Sequence, residues 1–302
     1  MHSMPLTKDL SIPAVGFGTY LIPNDEAVIA VGHALRAGYR HIDTAEVYGN
    51  EAGVGEAIHA FLSEPGRSRN DLFVTTKLWP GNAAWGQTPK TFESTLTSLD
   101  ESLTKLRLAH VDLYLIHAPF EKSQRLAQWK ALVEARRLGK ARAIGVSNFS
   151  QQHLEELREA GLPLPDANQI ELHPWSQKPQ LVAYLAKHHI APIAYSSLVP
   201  LSTWRTAKGH HSAKTPQMRA DGETSPFKVM AKKYGVTESQ VLLRWAVQQG
   251  YAVLPKSTNP ERIRQNLDLF GFALDDADLT AIASMDRGDG VAWTNGDPTK
   301  NA

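Results

Sequence analysis

The chain has 302 residues and a net charge of +1, with basic and acidic side chains interspersed, so it carries no electrostatic footprint for nucleic acid or an anionic membrane. It contains no cysteine, which removes disulfides, thiolate zinc sites, iron–sulfur clusters and cysteine nucleophiles together. At 42% apolar residues, with glycine and proline spread evenly, it can bury a sizeable core, and no composition shift marks a linker; one domain over residues 1–302 is expected.

Met1 to Leu21 lacks a basic region followed by a continuous apolar stretch, and no run approaches the roughly 20 apolar residues a membrane helix needs. A cytoplasmic protein is the expectation. Met4 to Pro13 alternates like a small hairpin that would plug a barrel floor. Gly16-Phe-Gly18-Thr-Tyr-Leu21 imitates a dinucleotide-binding fingerprint, but the third glycine is missing and Pro23 interrupts the approach to the next helix. It reads as a first strand and its turn.

From there short apolar runs alternate with longer segments of helical period, the pattern of βα units on a parallel sheet. The strands are Val15 to Gly18, His41 to Asp43, Leu72 to Thr76, Val111 to Ile116, Arg142 to Val146, Ala167 to Ile170, Ile190 to Ala194 and Ala252 to Leu254. Capping side chains or an N1 proline start helices at Asn24-Asp25-Glu26, Thr88-Pro89, Ser150 and Asn259-Pro260-Glu261, and Asp275 to Met285 reads as one further helix. Eight such pairs predict a single (β/α)8 TIM barrel with an N-terminal hairpin plug and a C-terminal helix and tail. Ser202 to Pro226, with Arg205, Lys208, His210, His211, Lys214 and Arg219, is a long polar loop, either a solvated insert or a flap over a bound anion.

Barrels of this kind build their sites at the C-terminal ends of the strands. Polar residues follow nearly every apolar run: Thr19, Asp43, Lys77, His117, Ser147 with Asn148, Gln169, Tyr195 with Ser196, and Lys256 with Ser257. Tyr48, just past the second strand, can donate a proton to a carbonyl oxygen as hydride arrives, but a phenol with a pKa of about 10 needs a tuning partner. The Lys77 ammonium would stabilise developing phenolate charge, and Asp43 would fix that ammonium and offset its burial. His117 is placed to orient the carbonyl. A Schiff base at Lys77, as in a barrel aldolase, would need a depressed lysine pKa, which Asp43 opposes. His188-His189 and His210-His211 lack partners at ligand spacing, so no metal site is expected.

Gly38-Tyr-Arg-His-Ile-Asp43-Thr-Ala-Glu-Val-Tyr48-Gly-Asn-Glu51, Thr76-Lys77-Leu-Trp79, Ile144-Gly-Val-Ser-Asn-Phe149, Asn168-Gln-Ile-Glu-Leu-His173-Pro, and Leu254-Pro-Lys-Ser257 through Arg262 and Asn266 together resemble the aldo-keto reductase family, in order over essentially the whole chain. The resemblance implies Asp43, Tyr48, Lys77 and His117 as a catalytic tetrad with Tyr48 as the acid. It implies Ser147, Asn148 and Gln169 on a nicotinamide carboxamide, Tyr195 stacked on its ring, and Ser196 and Leu198 along the pyrophosphate. Lys256, Ser257 and Arg262 would grip a ribose 2′-phosphate, with Gln265 and Asn266 near the adenine and Thr19 also among the cofactor contacts. Two cations and a hydroxyl suit a phosphate dianion, so NADPH is expected over NADH.

The chain departs from the family pattern at Tyr20 and Ala118, where tryptophan is frequent, which widens the pocket there. It departs also at Ser197, Val199 and Gln265, where proline, glycine and glutamate are usual. Trp79, Phe120 and Trp293 are candidate pocket walls beside Tyr20 and Ala118, while Trp85, Trp175 and Trp204 can be scaffold or loop packing. The reading is NADPH-dependent reduction of a small-molecule aldehyde or ketone by a monomer. The alternative is a non-enzymatic NADPH-sensing partner, since potassium-channel β-subunits resemble the same family.

Overall fold

Among the described residues, eight parallel strands lie in the sheet in the order in which they occur in the chain. The structure, a computed structural model, describes residues 2–201, 225–288, 290, 292–293 and 296–300. After β1 (Ser3–Pro5) and β2 (Ser11–Pro13), the sheet runs through β3 (Phe17–Gly18), β4 (His41–Asp43), β5 (Phe73–Leu78), β6 (Val111–Ile116), β7 (Ala141–Ser147), β8 (Ala167–Glu171), β9 (Ala191–Tyr195) and β10 (Ala252–Val253). Its two ends meet: Val15 bridges Val253 in parallel, Gly16 N–H donates to Val253 O at 2.8 Å, and Gly18 N–H to Pro255 O at 3.1 Å. The sheet is therefore a closed barrel, with no edge left to pair.

The strands are apolar on both faces because one face packs against helices and the other fills the barrel. Ile42, Val74, Tyr114, Ile144, Ile170 and Ala194 join the core shared with the helices, whereas Phe73, Leu113, Leu115, Ala143, Ala167, Ile193 and Ala252 form a separate inner cluster. That cluster is closed from below by the expected hairpin, β1 pairing antiparallel with β2, whose Leu6 and Ile12 are both buried in it.

The helices are α1 (Asn24–Ala37), α2 (Glu51–Leu62), α3 (Phe92–Leu106), α4 (Lys122–Arg137), α5 (Gln151–Glu159), α6 (Pro179–Lys187), α7 (Pro226–Tyr234), α8 (Glu238–Gln248), α9 (Pro260–Leu267) and α10 (Asp276–Ala283). Ser150 and Asn259 cap α5 and α9 as expected, and the helix expected over Asp275 to Met285 is α10, which Asp275 caps. Two start signals resolve differently. Asn24 leaves its own helix uncapped, and its Oδ1 accepts the Gly53 N–H of α2 at 2.8 Å. That close helix contact leaves no room for a side chain at Gly53, where a Cβ would stand 2.0 Å from Asn24 O. Thr88-Pro89 does not open a helix, because the chain there returns over Gly81, and Lys90 N–H donates to Pro80 O at 2.9 Å. Thr91 and Ser94 then form the capping box of α3. Pro226 starts α7 rather than ending a loop; residues 202–224, with Trp204, Arg205, Lys208, His210, His211, Lys214 and Arg219, lie outside the described residues.

Candidate active site

Strand register sets the centre of the site. Asp43, last in β4, pairs with Thr75 of β5, and Lys77 stands two residues further along β5, hence on the same face and one layer nearer the mouth. Lys77 Nζ donates to Asp43 Oδ1 at 2.6 Å and to Thr44 O at 2.8 Å, and lies 3.4 Å from the Tyr48 hydroxyl. Asp43 Oδ2 accepts Gln169 Nε2 at 2.8 Å, so both carboxylate oxygens are used. Tyr48 reaches the lysine from a single 3-10 turn, Glu46–Tyr48, closed by Gly49 in the left-handed region at φ 67°.

Electrostatics follow from burial. Lys77 is fully buried; desolvation draws its pKa below the ordinary value, and the Asp43 charge and hydrogen bond oppose it. Burial pushes the Tyr48 phenol well above its ordinary value, with the Asp43 charge and Tyr20 adding to it. In the resting site Tyr48 is thus a firmly protonated donor, and the long contact to Lys77 does not bring it toward neutrality. His117 is held well below its ordinary value by burial and then by the Lys77 charge, so its imidazole is neutral at physiological pH. Its Nδ1 is buried with no hydrogen-bond partner among the described residues.

A cleft of about 970 Å³ runs from these groups across the barrel mouth. On one side Asn148 sits with φ 63°, its Nδ2 donating to His117 O and to Ser147 Oγ, both at 3.0 Å, while Ser147 Oγ donates to Gln169 O at 2.8 Å. Tyr195 OH donates to Asn148 Oδ1 at 2.7 Å and accepts Trp293 Nε1 at 2.8 Å. Ser196, also left-handed at φ 56°, turns the chain into Leu198 and the 3-10 turn Val199–Leu201. Further along the cleft lie Lys256, Ser257, Arg262, Gln265 and Asn266, around the start of α9.

The other end is aromatic. Tyr20 lies 5.0 Å from Tyr48 between ring centroids, Trp79 5.5 Å from His117, and Phe120 5.7 Å from Trp79 and 5.6 Å from Trp293. Trp85, expected as scaffold or loop packing, instead stacks on Trp79 at 6.2 Å and lines the cleft. Trp175 is buried under the Arg287 guanidinium, which is a scaffold position.

The structure brings together almost every expected site residue. Lys77, Thr19, Ala118 and Phe120 stand just outside the cleft surface, Lys77 being fully buried. Thr19 is buried with its hydroxyl donating to Asp43 O at 3.0 Å, and Gly18 faces the cleft beside it. Residues not anticipated are Leu21 and Val47 at the aromatic end and Thr237 to Ser239 at the start of α8. Glu46 was missed as well: it accepts Trp79 N–H at 3.0 Å and Lys90 Nζ at 2.8 Å, fixing the Trp79 backbone. The Thr237…Gln240 capping box was the one readable signal among these.

The sequence model of the Aldo/keto reductase family matches residues 14–287. An aldo-keto reductase of Mycolicibacterium smegmatis is 40% identical over 279 residues, 92% of this chain and 91% of that one. The NAD(P)H-dependent D-xylose reductase of Candida tropicalis is 36% identical over 311 residues, 95% of this chain and 93% of that one. Among solved structures, the Bombyx mori aldo-keto reductase in complex with NADP superposes with a TM-score of 0.85 at 34% identity, covering 99% of both chains.

Proposed function

The chain belongs to the aldo/keto reductase family, and we propose that it is an NADPH-dependent carbonyl reductase with Tyr48 as general acid. The observation that carries this reading is the convergence of Asp43, Lys77, Tyr48 and a neutral His117 at the point where the polar and aromatic halves of the cleft meet.

The residues present fit the cofactor. Asn148, Gln169 and Ser147 line the deep end, where their oxygens can accept from a carboxamide although their donors are largely engaged within the protein. Lys256 and Arg262, at the far end, have no carboxylate partner among the described residues and can take up a phosphate dianion. NADPH, when bound, supplies the hydride to the carbonyl carbon.

The chain's own groups do the rest. As negative charge grows on the substrate oxygen, Tyr48 passes its hydroxyl proton to it, and the buried Lys77 ammonium 3.4 Å away stabilises the phenolate that remains. Asp43 opposes the effect of burial on that lysine and so favours its charged form. His117, neutral, has one ring N–H that can donate to the carbonyl oxygen and orient it. Tyr20, Trp79, Trp85 and Trp293 exclude water from the exchange.

The test follows loss of reduced-nicotinamide absorbance with a panel of aldehydes and ketones, using NADPH and NADH in parallel. Faster oxidation of NADPH with at least one carbonyl supports the reading. NADPH binding without turnover of any carbonyl would favour the cofactor-sensing alternative.

A further inference from the structure

The last described residues return across the loop that follows β8, where the buried Glu171 meets them from the barrel and Asp297, in the tail itself, pairs with Lys178. Glu171, at the end of β8, is 1% exposed, and both of its oxygens accept the Ala292 N–H at 3.0 Å. Its Oε1 also takes a hydrogen bond from His173 Nε2 at 2.7 Å. Because His173 Nδ1 accepts the Trp175 N–H at 3.3 Å, the ring proton sits on Nε2 and points at Glu171. Asp297 pairs with Lys178 and accepts the Gly290 N–H at 3.0 Å. Gly290 is wedged between the two acids: a Cβ there would lie 2.7 Å from Glu171 Oε2 and 3.0 Å from Asp297 Oδ2.

The residue after the clamped Ala292 is Trp293, which closes the substrate end of the cleft. Its Nε1 donates to Tyr195 OH, Tyr195 donates to Asn148, and its ring stands edge-on to His117 at 6.3 Å and to Phe120 at 5.6 Å. Burying a carboxylate costs several kcal/mol unless donors meet it. Here the donors include a histidine and a backbone N–H of the tail, so part of the charge is spent on holding the tail.

We propose that Glu171 is a positioning residue that acts through the tail: by clamping Ala292 it fixes Trp293 as the outer wall of the pocket and so sets how tightly bulky, aromatic carbonyl substrates are held. The proposal rests on the reading of the cleft as that of a carbonyl reductase. Glu171→Gln supplies one acceptor and one donor where two acceptors are needed, so the tail loosens while the proton-donating groups stay in place.

The experiment compares wild type, Glu171→Gln, Trp293→Phe and the double variant, each full-length with NADPH, using an aryl aldehyde and a short aliphatic aldehyde. Acrylamide quenching, read as the difference between proteins with and without Trp293, reports the tail directly. Glu171→Gln is expected to raise KM for the aryl aldehyde about tenfold with kcat little changed, to leave the aliphatic KM nearly unaltered, and to make Trp293 more quenchable. In the Trp293→Phe background it should add nothing. A full additional effect in that background, or a fall in kcat and thermal stability with KM and quenching unchanged, overturns the proposal. Should wild type turn over no carbonyl, the functional reading fails, while the quenching comparison still decides whether Glu171 holds Trp293. If Glu171→Gln does not fold, Gly290→Ala presses on the same clamp from the tail side and gives the same comparison.

Discussion

Replacing Asp43 by asparagine tests whether the buried charges at the barrel mouth work as one unit. The two ions stand 2.6 Å apart with both side chains almost wholly buried. At an effective dielectric constant of about 20 that separation is worth about 6 kcal/mol of attraction, most of which offsets the desolvation of the pair. Asparagine keeps a neutral acceptor for Lys77 but removes the anion. Burial already draws the lysine below its ordinary value, so without Asp43 it is drawn down further and its ammonium is destabilised. Losing one partner of a buried pair predicts a cost of about 3 to 5 kcal/mol in urea unfolding. With the ammonium beside the forming phenolate destabilised and no longer fixed by an anion, kcat should fall on the order of a hundredfold. A variant with the wild-type urea midpoint and the wild-type kcat would refute the reasoning.

His41 lies buried at the barrel floor against Thr75 and is drawn from 6.5 to about 3, chiefly by burial and then by the Lys77 charge. The unfolded chain binds the extra proton between those values, so stability is full above about 6.5 and falls as pH drops toward 3. The whole window is worth about 5 kcal/mol and the part down to pH 5 about 2 kcal/mol. His41→Gln, which can keep the Thr75 contact, should therefore gain about 2 kcal/mol on wild type between pH 7 and pH 5 in urea melts, and parallel pH curves would exclude His41 as a source of acid sensitivity. Gly53→Ala would force a methyl against Asn24 O and separate α1 from α2, costing about 3 kcal/mol or more; a melting temperature equal to wild type would contradict that packing. Arg262→Ala should raise KM for NADPH about ten- to a hundredfold and leave KM for NADH nearly unchanged, whereas equal losses for both would remove the 2′-phosphate assignment.

The barrel was legible because its strands are buried on both faces, leaving apolar runs that end in polar residues at the mouth. β4 and β6 match the expected limits, and most other strands shift by one or two residues. The exceptions have local causes. Thr88-Pro89 is a sound helix-start signal, but the chain must first fold back onto Pro80 and Gly81, so Thr91 takes the capping role. Asn24 has the right side chain to cap α1 and spends it on Gly53, 29 residues away. The convergence of Asp43, Tyr48, Lys77 and His117 was readable because each sits at or just past a strand end. The clamp of Glu171 on Ala292 was not, since it joins residues 121 apart through a backbone N–H that has no sequence signature. The fate of Trp85 depended on how two loops lie against Trp79 and Phe120, which no local pattern encodes.

The most direct test of the account is Tyr48→Phe, which removes one hydroxyl from the cleft and little volume. In single turnovers with NADPH bound and a reactive aldehyde added, hydride transfer should slow by on the order of 10² to 10⁴ while NADPH affinity stays within about threefold of wild type. Transfer at close to the wild-type rate would contradict Tyr48 as the proton donor and, with it, the role given to Lys77 and Asp43.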